Sequence, residues 1–564
     1  MIYCYLFEAK SIQQYLFRSG KLKDVIAASE RLDNLIDSEK ESVLNQVLLN
    51  AGLDSDLLAL DKTKNDENSI HFLRCKGGAF YCYCQSETPL LKLRSLWTLT
   101  LQQLFPSLEF TDALTHADKL PVALDLAHQQ LATDRNNPTI KFPFASAISA
   151  RYQRSGKVAV PLSKLAFQAS MNEDSVDLDT EHHRQAYKAL EMKDNAALQD
   201  RFTPPELRGE IHYPVDIEKE FQTHADAKAT NLVATRDIAL IHIDGNGLGI
   251  LLMGLKDALK GVDDNIYQHA FRQFSDALNK ATIEAAQTAT QWIVDNATYT
   301  IKSEGNKKYL PMRPIVLGGD DVTLLCRADL ALTFSQIFCK EFKVASEKAL
   351  APIYDQHLKA SGMKPYLTAS GGILYNKAGH PFINSLSLVE DLCAHAKKLT
   401  KSITKSETEV GPAALAFYRI SNAISSSFDQ AFEQSQVFAL DNNKHITMGK
   451  SAYFVEEVYA NNLKRLDDIS KHKAMTPAKW RQMATLLSQG DLDEAQAMFN
   501  RVKSLASDHN AMSHLSDAIQ ALLKADAIEG WYSEENGVLN CIINDLLIVD
   551  HFQPVIADEG DNNE

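Results

Sequence analysis

The chain has 564 residues, 45% apolar and 23% charged, a balance that suits a globular protein of roughly three to four domains. No run approaches the ~20 continuous apolar residues of a membrane helix, and the opening residues lack the basic start and small-residue cleavage site of a signal peptide. A net charge of −15 argues against nucleic-acid binding over the whole surface, while leaving room for a local basic groove.

In chain order, residues 1–8 read as a strand. Ser11 is placed to cap a long helix in which Ile12, Tyr15, Leu16, Leu22, Val25, Ile26, Leu32, Leu35 and Ile36 recur at helical spacing, with Gly20 as a kink. Two β-prone runs, 71–74 and 80–84, flank Gly77-Gly78 and predict a hairpin. A helix over 90–104 and a strand over 108–111 complete a first domain, 1–118. The eight cysteines form no Cys-x-x-Cys pair and mostly lie in apolar runs, which points to free thiols in a reducing cytoplasm. Cys82 and Cys84 share a strand face, but two thiols do not make a zinc site.

Residues 119–235 are less regular and read as a connecting domain of mixed structure. They hold proline-bearing segments, Phe142-Pro143-Phe144 and Thr203-Pro204-Pro205, and a charged helical stretch over 180–200 in which His182 and His183 read as exposed.

The next domain, 236–427, carries the most informative residues. Ile238-Ala239-Leu240-Ile241-His242-Ile243 is an apolar strand that ends in Asp244-Gly245-Asn246-Gly247-Leu248-Gly249, so Asp244 falls at the carboxyl end of a buried strand, where α/β sheets place ligand-handling groups. A long helix follows over 263–294, with Ile266, Ala270, Phe271, Phe274, Leu278 and Ala281 as its apolar positions. The runs 314–317 and 322–326 then flank Gly318-Gly319-Asp320-Asp321, with the two glycines turning a hairpin. Adjacent carboxylates at a hairpin tip repel and raise each other's pKa, a cost that a divalent cation removes. Glycine beside them lets a bulky anion approach the backbone. Alone, the tetrapeptide also suits an acidic turn in water; together with Asp244 it favours a metal–nucleotide site. Magnesium or manganese takes hard oxygen ligands and leaves positions for phosphate oxygens, and two such ions can activate a hydroxyl and neutralise pyrophosphate. A strand over 366–375 and a helix over 386–401 follow. On that helix Lys397 and Lys401 lie four apart, placed either to hold a triphosphate as point charges or simply to complement the helix C-terminus.

Residues 428–555 read as nearly all helical, a bundle that packs on partners or on the preceding domain, and 556–564 as a disordered acidic tail. An internal repeat links the halves. Strand, helix and a Gly-Gly hairpin occur at 1–84 and again at 238–326, the first copy without the acids.

The chain resembles the large, polymerase-like subunit of type III CRISPR effector complexes. The residues that carry the likeness in the first half are Phe7-Glu8-Ala9-Lys10-Ser11-Ile12-Gln13, Gly20-Lys21-Leu22-Lys23-Asp24 and Ala28-Ser29-Glu30. In the second they are Asp244 to Gly249, Gly318 to Asp321, Thr368-Ala369-Ser370-Gly371-Gly372 and Ala396-Lys397-Lys398. The resemblance implies an α+β fold with two ferredoxin-like palms, the first silent, a connecting domain and a helical C-terminal domain. It implies a cytoplasmic nucleotidyltransferase that joins ATP into cyclic oligoadenylates when target RNA is bound, alongside other subunits and guide RNA. Asp244, Asp320 and Asp321 would then hold Mg2+ or Mn2+. Gly245, Asn246, Gly247, Gly249, Gly318 and Gly319 would face the nucleotide, and Lys397 and Lys401 would meet phosphate. Three departures stand out. No His-Asp dipeptide of a nuclease domain occurs, so no DNase activity is expected; residues 120–235 hold no cysteine for a zinc module; and Asn246 stands where an acid is common. Two other functions fit the same motifs, a catalytically silent scaffold subunit and a cyclic di-nucleotide cyclase.

Overall fold

The computed structural model describes residues 1–36, 42–58, 67–137, 146–170, 173–191, 197–214, 237–297, 302–304, 307–377, 380, 382–406, 409–420, 427–440, 444–505, 509–523 and 530–554. The Phe142-Pro143-Phe144 segment and the 556–564 tail lie outside the described residues.

The N-terminal sheet contains β1 (Ile2–Lys10), β2 (His71–Lys76), β3 (Ala79–Cys84) and β4 (Glu109–Ala117) in the order β2-β3-β1-β4. Apolar and aromatic residues alternate along these strands and bury Tyr5, Phe7, Phe72 and Phe80 against Trp97 of helix Glu87–Leu104. The turn between β2 and β3 is the two-residue loop Gly77-Gly78, both at positive φ (64° and 74°), as the commonest hairpin turn requires. The predicted first helix is two, Ile12–Phe17 and Leu22–Asp33. Gly20, at φ 67°, breaks rather than kinks it. Ser11 precedes the first helix but makes no capping bond, because its own backbone is left-handed at φ 51°.

In the connecting region, β5 (Ala159–Pro161) pairs with β6 (Ser175–Asp177), and β7 (Ile211–His212) joins a separate small sheet. The exposed reading of His183 is corrected. The helix Leu178–Glu191 buries that face against the N-terminal half, and His183 Nδ1 lies 2.8 Å from Arg31 while Tyr15 meets its ring edge-on. Burial and the Arg31 charge hold its pKa well below the usual value.

The second sheet repeats the first. Its strands β8 (Asp237–Asn246), β11 (Met312–Gly318), β12 (Asp321–Arg327) and β13 (Thr368–Lys377) stand in the order β11-β12-β8-β13, each in the place of β2, β3, β1 and β4. Both sheets therefore follow the β-α-β-β-α-β ferredoxin-like plan. The insert β9 (Lys302–Glu304) and β10 (Lys307–Tyr309) joins β7 instead, and β14 (Ala414–Arg419) extends the second sheet in parallel with β13. Helices Asp264–Asn296 and Ala328–Ile353 cover one face, and helix Phe382–Lys401 the other. Asp263 caps the long helix by accepting from Asn265 N at 2.9 Å. Its buried stripe starts at Tyr267. Ile266 lies on the exposed side of the capped first turn and leaves the predicted core.

The reading of 428–555 as nearly all helical is also corrected. The three-residue strands β15 (Val437–Ala439), β16 (His445–Thr447), β18 (Ser533–Glu535) and β19 (Val538–Asn540) form a sheet among the helices, and β17 (Ala452–Phe454) pairs with β14 at the edge of the second sheet. Strands so short carry too little alternation to read from sequence.

Two apolar clusters hold the molecule together, and each contains residues of both main sheets. Helix Phe382–Lys401 can lie close on β13 because Gly372 has no side chain. A Cβ on Gly372 would come 2.4 Å from Val389 O and 2.8 Å from Cys393 N, backbone atoms that cannot rotate away. Gly372→Ala is therefore expected to cost about 1–3 kcal/mol in denaturant unfolding, the range for overpacking a core.

Candidate functional site

Every residue of β8 is buried except Asp244, which is half-buried. Side chains alternate along a strand, so His242, Asp244 and Asn246 share the face toward helix Phe382–Lys401. Val322 pairs with Ile243 across β12 and β8, which sets Asp321 beside Asp244 on that same face. The loop of the acid hairpin is Gly319-Asp320, closed by the pair Gly318–Asp321; this one-residue register shift corrects the expectation that Gly318 and Gly319 form it. Only Gly319 takes positive φ, at 64°. Asp320 leans over β8 so closely that a Cβ on Gly245 would meet its Oδ2 at 2.6 Å. Gly245 thus makes room for the turn carboxylate. A Cβ on Gly247, at φ 91°, would strike Val410.

The three carboxylates disturb one another. Burial, then the Asp244 charge, raises Asp320 to about 6. Asp321 is pushed well above the carboxylate range by burial and by Asp244 and Asp320. Its side chain keeps 31% of its surface, yet Oδ1 is shut off from water and accepts no hydrogen bond. His242 Nδ1 lies 3.3 Å away, but burial lowers the pKa of that imidazole, and it faces Thr323 Oγ1 at 3.0 Å. The compensating cation is Lys397, whose Nζ ion-pairs with Asp244 Oδ2 and donates to Gly245 O at 3.2 Å.

The other expected residues are placed as follows. The Asn246 amide donates to Thr368 Oγ1 (3.1 Å) and Ser370 Oγ (2.9 Å), so its side chain is committed to the sheet interior. Gly247 sits at the N-cap of helix Leu248–Ala258, whose first turn includes the exposed Gly249. That helix N-terminus, with its free N–H groups, follows Asp244 directly. Lys401, one turn past Lys397, is exposed.

Three neighbours escaped the sequence reading. His242 stands two before Asp244, and Glu390 seven before Lys397 on one helix face; both spacings were available as signals. Glu390 is raised by burial and by Asp321. Arg74 of β2, whose charge lowers the Asp320 pKa, comes from the other sheet and had no local signal. The two hairpin tips meet: a Cβ on Gly318 would lie 3.6 Å from Gly77 Cα. A cavity of about 850 Å³ opens between the halves, lined by Gln13, Lys76, Gly78, Gly318, Asp321 and Glu390 among others, which is within the range of small-molecule sites.

The carboxylate oxygens, one of them orphaned, suit a hard divalent cation, although the Lys397 ammonium now holds the place against Asp244 that such a cation would take. Among the described residues, however, no group of three or more acidic, His or Cys side chains is arranged to hold a metal ion. Nor is any helix among them long and apolar enough to cross a membrane.

Residues 237–404 match the family model described as Cas10/Cmr2, second palm domain, a span that includes Asp244, Asp320, Asp321 and Lys397. No curated protein matches the chain. Among solved structures, Csm1 in T. onnurineus is similar at 12% identity and a TM-score of 0.47, over 97% of this chain and 69% of that one. A Csm1–Csm4 cassette in complex with cA4 gives 11% and 0.46, over 93% and 69%. One in complex with one ATP gives 12% and 0.46, over 97% and 70%.

The raised pKa of Asp320 has a definite sign. Between its ordinary value and about 6 the folded chain binds a proton that the unfolded chain has released, so stability falls as pH rises through that window. In a chelator, Asp320→Asn should gain on the order of 1–2 kcal/mol over the wild type at pH 7 and lose that advantage toward pH 4, as read by thermal unfolding.

Proposed function

We propose that this chain, whose residues 237–404 are a palm of the Cas10/Cmr2 second-palm kind, is a nucleotidyltransferase that joins ATP into cyclic oligoadenylates within a type III CRISPR effector assembly. The observation that carries the reading is that Asp244 and Asp321 stand side by side across β8 and β12, with the charge of Asp320 bearing on Asp321, Lys397 paired to Asp244 and Asp321 lining a cavity. ATP and the cyclic product come from the likeness of the motifs.

Asp244, Asp320 and Asp321 would hold Mg2+ or Mn2+, which when bound activates the attacking 3′-hydroxyl and neutralises the departing pyrophosphate. The protein's own part is placement. Gly245 makes room for Asp320 and Gly247 for Val410, and the N-terminus of helix Leu248–Ala258 offers N–H donors to phosphate. Lys397 would exchange Asp244 for a phosphate oxygen. Asn246, bonded to Thr368 and Ser370, acts by fixing the strand end rather than by touching the nucleotide. Segments 1–118 and 236–427 serve as silent and active palms, with β17 adding an edge strand to the second. Residues 119–235 connect them, and 428–555 provide a surface for other subunits.

One observation favours a second reading, a catalytically silent scaffold: Lys397 already neutralises Asp244, and no preformed metal group stands among the described residues. The two readings separate in one assay. With Mg2+ or Mn2+ and ATP, in the presence and absence of target RNA and partner subunits, the wild type should release pyrophosphate and a cyclic product, and GTP should serve poorly. Asp320→Ala should lower the rate at least about a hundredfold. No product under any of these conditions, or undiminished product from Asp320→Ala, would overturn the proposal.

A further inference from the structure

The acid turn is held from outside its own hairpin. Leu317 O and Gly319 O flank Gly318: Leu317 ends the edge strand β11, which has a strand partner on one side only, and Gly319 opens the two-residue loop. Leu317 O accepts from Arg201 Nη1 at 3.4 Å, and Gly319 O accepts from Thr282 Oγ1 at 2.5 Å. Thr282 is buried on the long helix Asp264–Asn296. Its hydroxyl has a single proton and a second acceptor, Leu278 O, at 3.0 Å, so the shorter contact is the one to the turn. Arg201 stands on helix Ala197–Phe202, and its Nη2 ion-pairs with Asp33 at the end of helix Leu22–Asp33 in the N-terminal half. The two donors thus come from two separate elements and grip the carbonyls on either side of the residue preceding the loop.

This grip bears on chemistry because Asp320 and Asp321 repel Asp244 and each other. Left to itself, a tip carrying those charges would swing away from β8. We infer that Thr282 and Arg201 are positioning residues for the two turn carboxylates, and that Asp33 and Arg201 make the active geometry depend on how the N-terminal half is seated. The inference rests on the catalytic reading of the turn. Neither side chain is a ligand or reacting group in it; each acts through the backbone of the hairpin.

Thr282→Val keeps the β-branched shape and removes only the hydroxyl, while Thr282→Ser keeps the donor. With the protein in whichever assembly gives product, Thr282→Val should lower kcat about tenfold to a hundredfold with KM for ATP nearly unchanged. It should also raise the Mg2+ concentration needed for half-maximal rate, and Thr282→Ser should recover most of the loss. Arg201→Met should act in the same direction. Asp33→Asn added to it should cost little more, because the two share one path. If the wild type makes product and Thr282→Val matches it, or if Ser is as poor as Val, the inference fails while the proposed function stands. If the wild type makes no product, the proposed function fails. Amide exchange over 317–322 then decides the structural half: faster exchange in Thr282→Val and Arg201→Met upholds the grip, and unchanged exchange overturns it.

Discussion

Mutual repulsion of three carboxylates gathered at one end of β8 and the neighbouring turn is the constraint around which the rest of this site is built. Burial removes much of the water that would screen Asp320 and Asp321, so the neighbouring Asp244 charge raises the free energy of both anions. The arrangement persists because the surrounding structure leaves the acids no retreat. Gly245 opens the space that Asp320 occupies, and Lys397 supplies an opposite charge against Asp244. Lys397 reaches that far because its helix lies directly on Gly372. A run of glycines with no chemistry of their own therefore decides whether the charges can be brought together.

The duplicated sheet explains how a chain comes to hold such a site between its halves. Both copies thread their strands in the same order and turn the same hairpin, yet the loops differ by one residue in kind: Gly77-Gly78 against Gly319-Asp320. Two glycines at positive φ make a turn that carries nothing. The second loop has positive φ only at Gly319, so its other position can hold an acid and mount a charge on the turn. The bare tip packs against the charged one, and its strand lends Arg74 to the field around Asp320. On the proposed reading, one copy supplies the acids and the other a wall and a counter-charge.

Legibility followed the length and periodicity of each element. The strand before Asp244, the long helix from Asp263 and both Gly-Gly hairpins were readable because each has a sustained pattern and local punctuation. The misreadings have specific causes. Ile266 fits the helical stripe but falls in a capped first turn that faces outward. Ser11 has a capping side chain on a backbone that cannot use it. His183 looks polar and solvated on its own helix, and is covered by a neighbour more than a hundred residues away, Arg31. The C-terminal strands are three residues each and leave no alternation to detect.

By itself the sequence determined the local chemistry: where acids, glycines and lysines stand relative to strand ends and turns, since those depend on backbone preferences acting over a few residues. Only the tertiary structure decided that Lys397 would neutralise Asp244, that Asn246 would turn inward to Thr368 and Ser370, and that Arg201 and Thr282 would hold the acid turn. Those pairings join residues from dozens to more than a hundred positions apart. They are set by which faces the two apolar clusters bury together, and a short-range pattern carries no information about that choice.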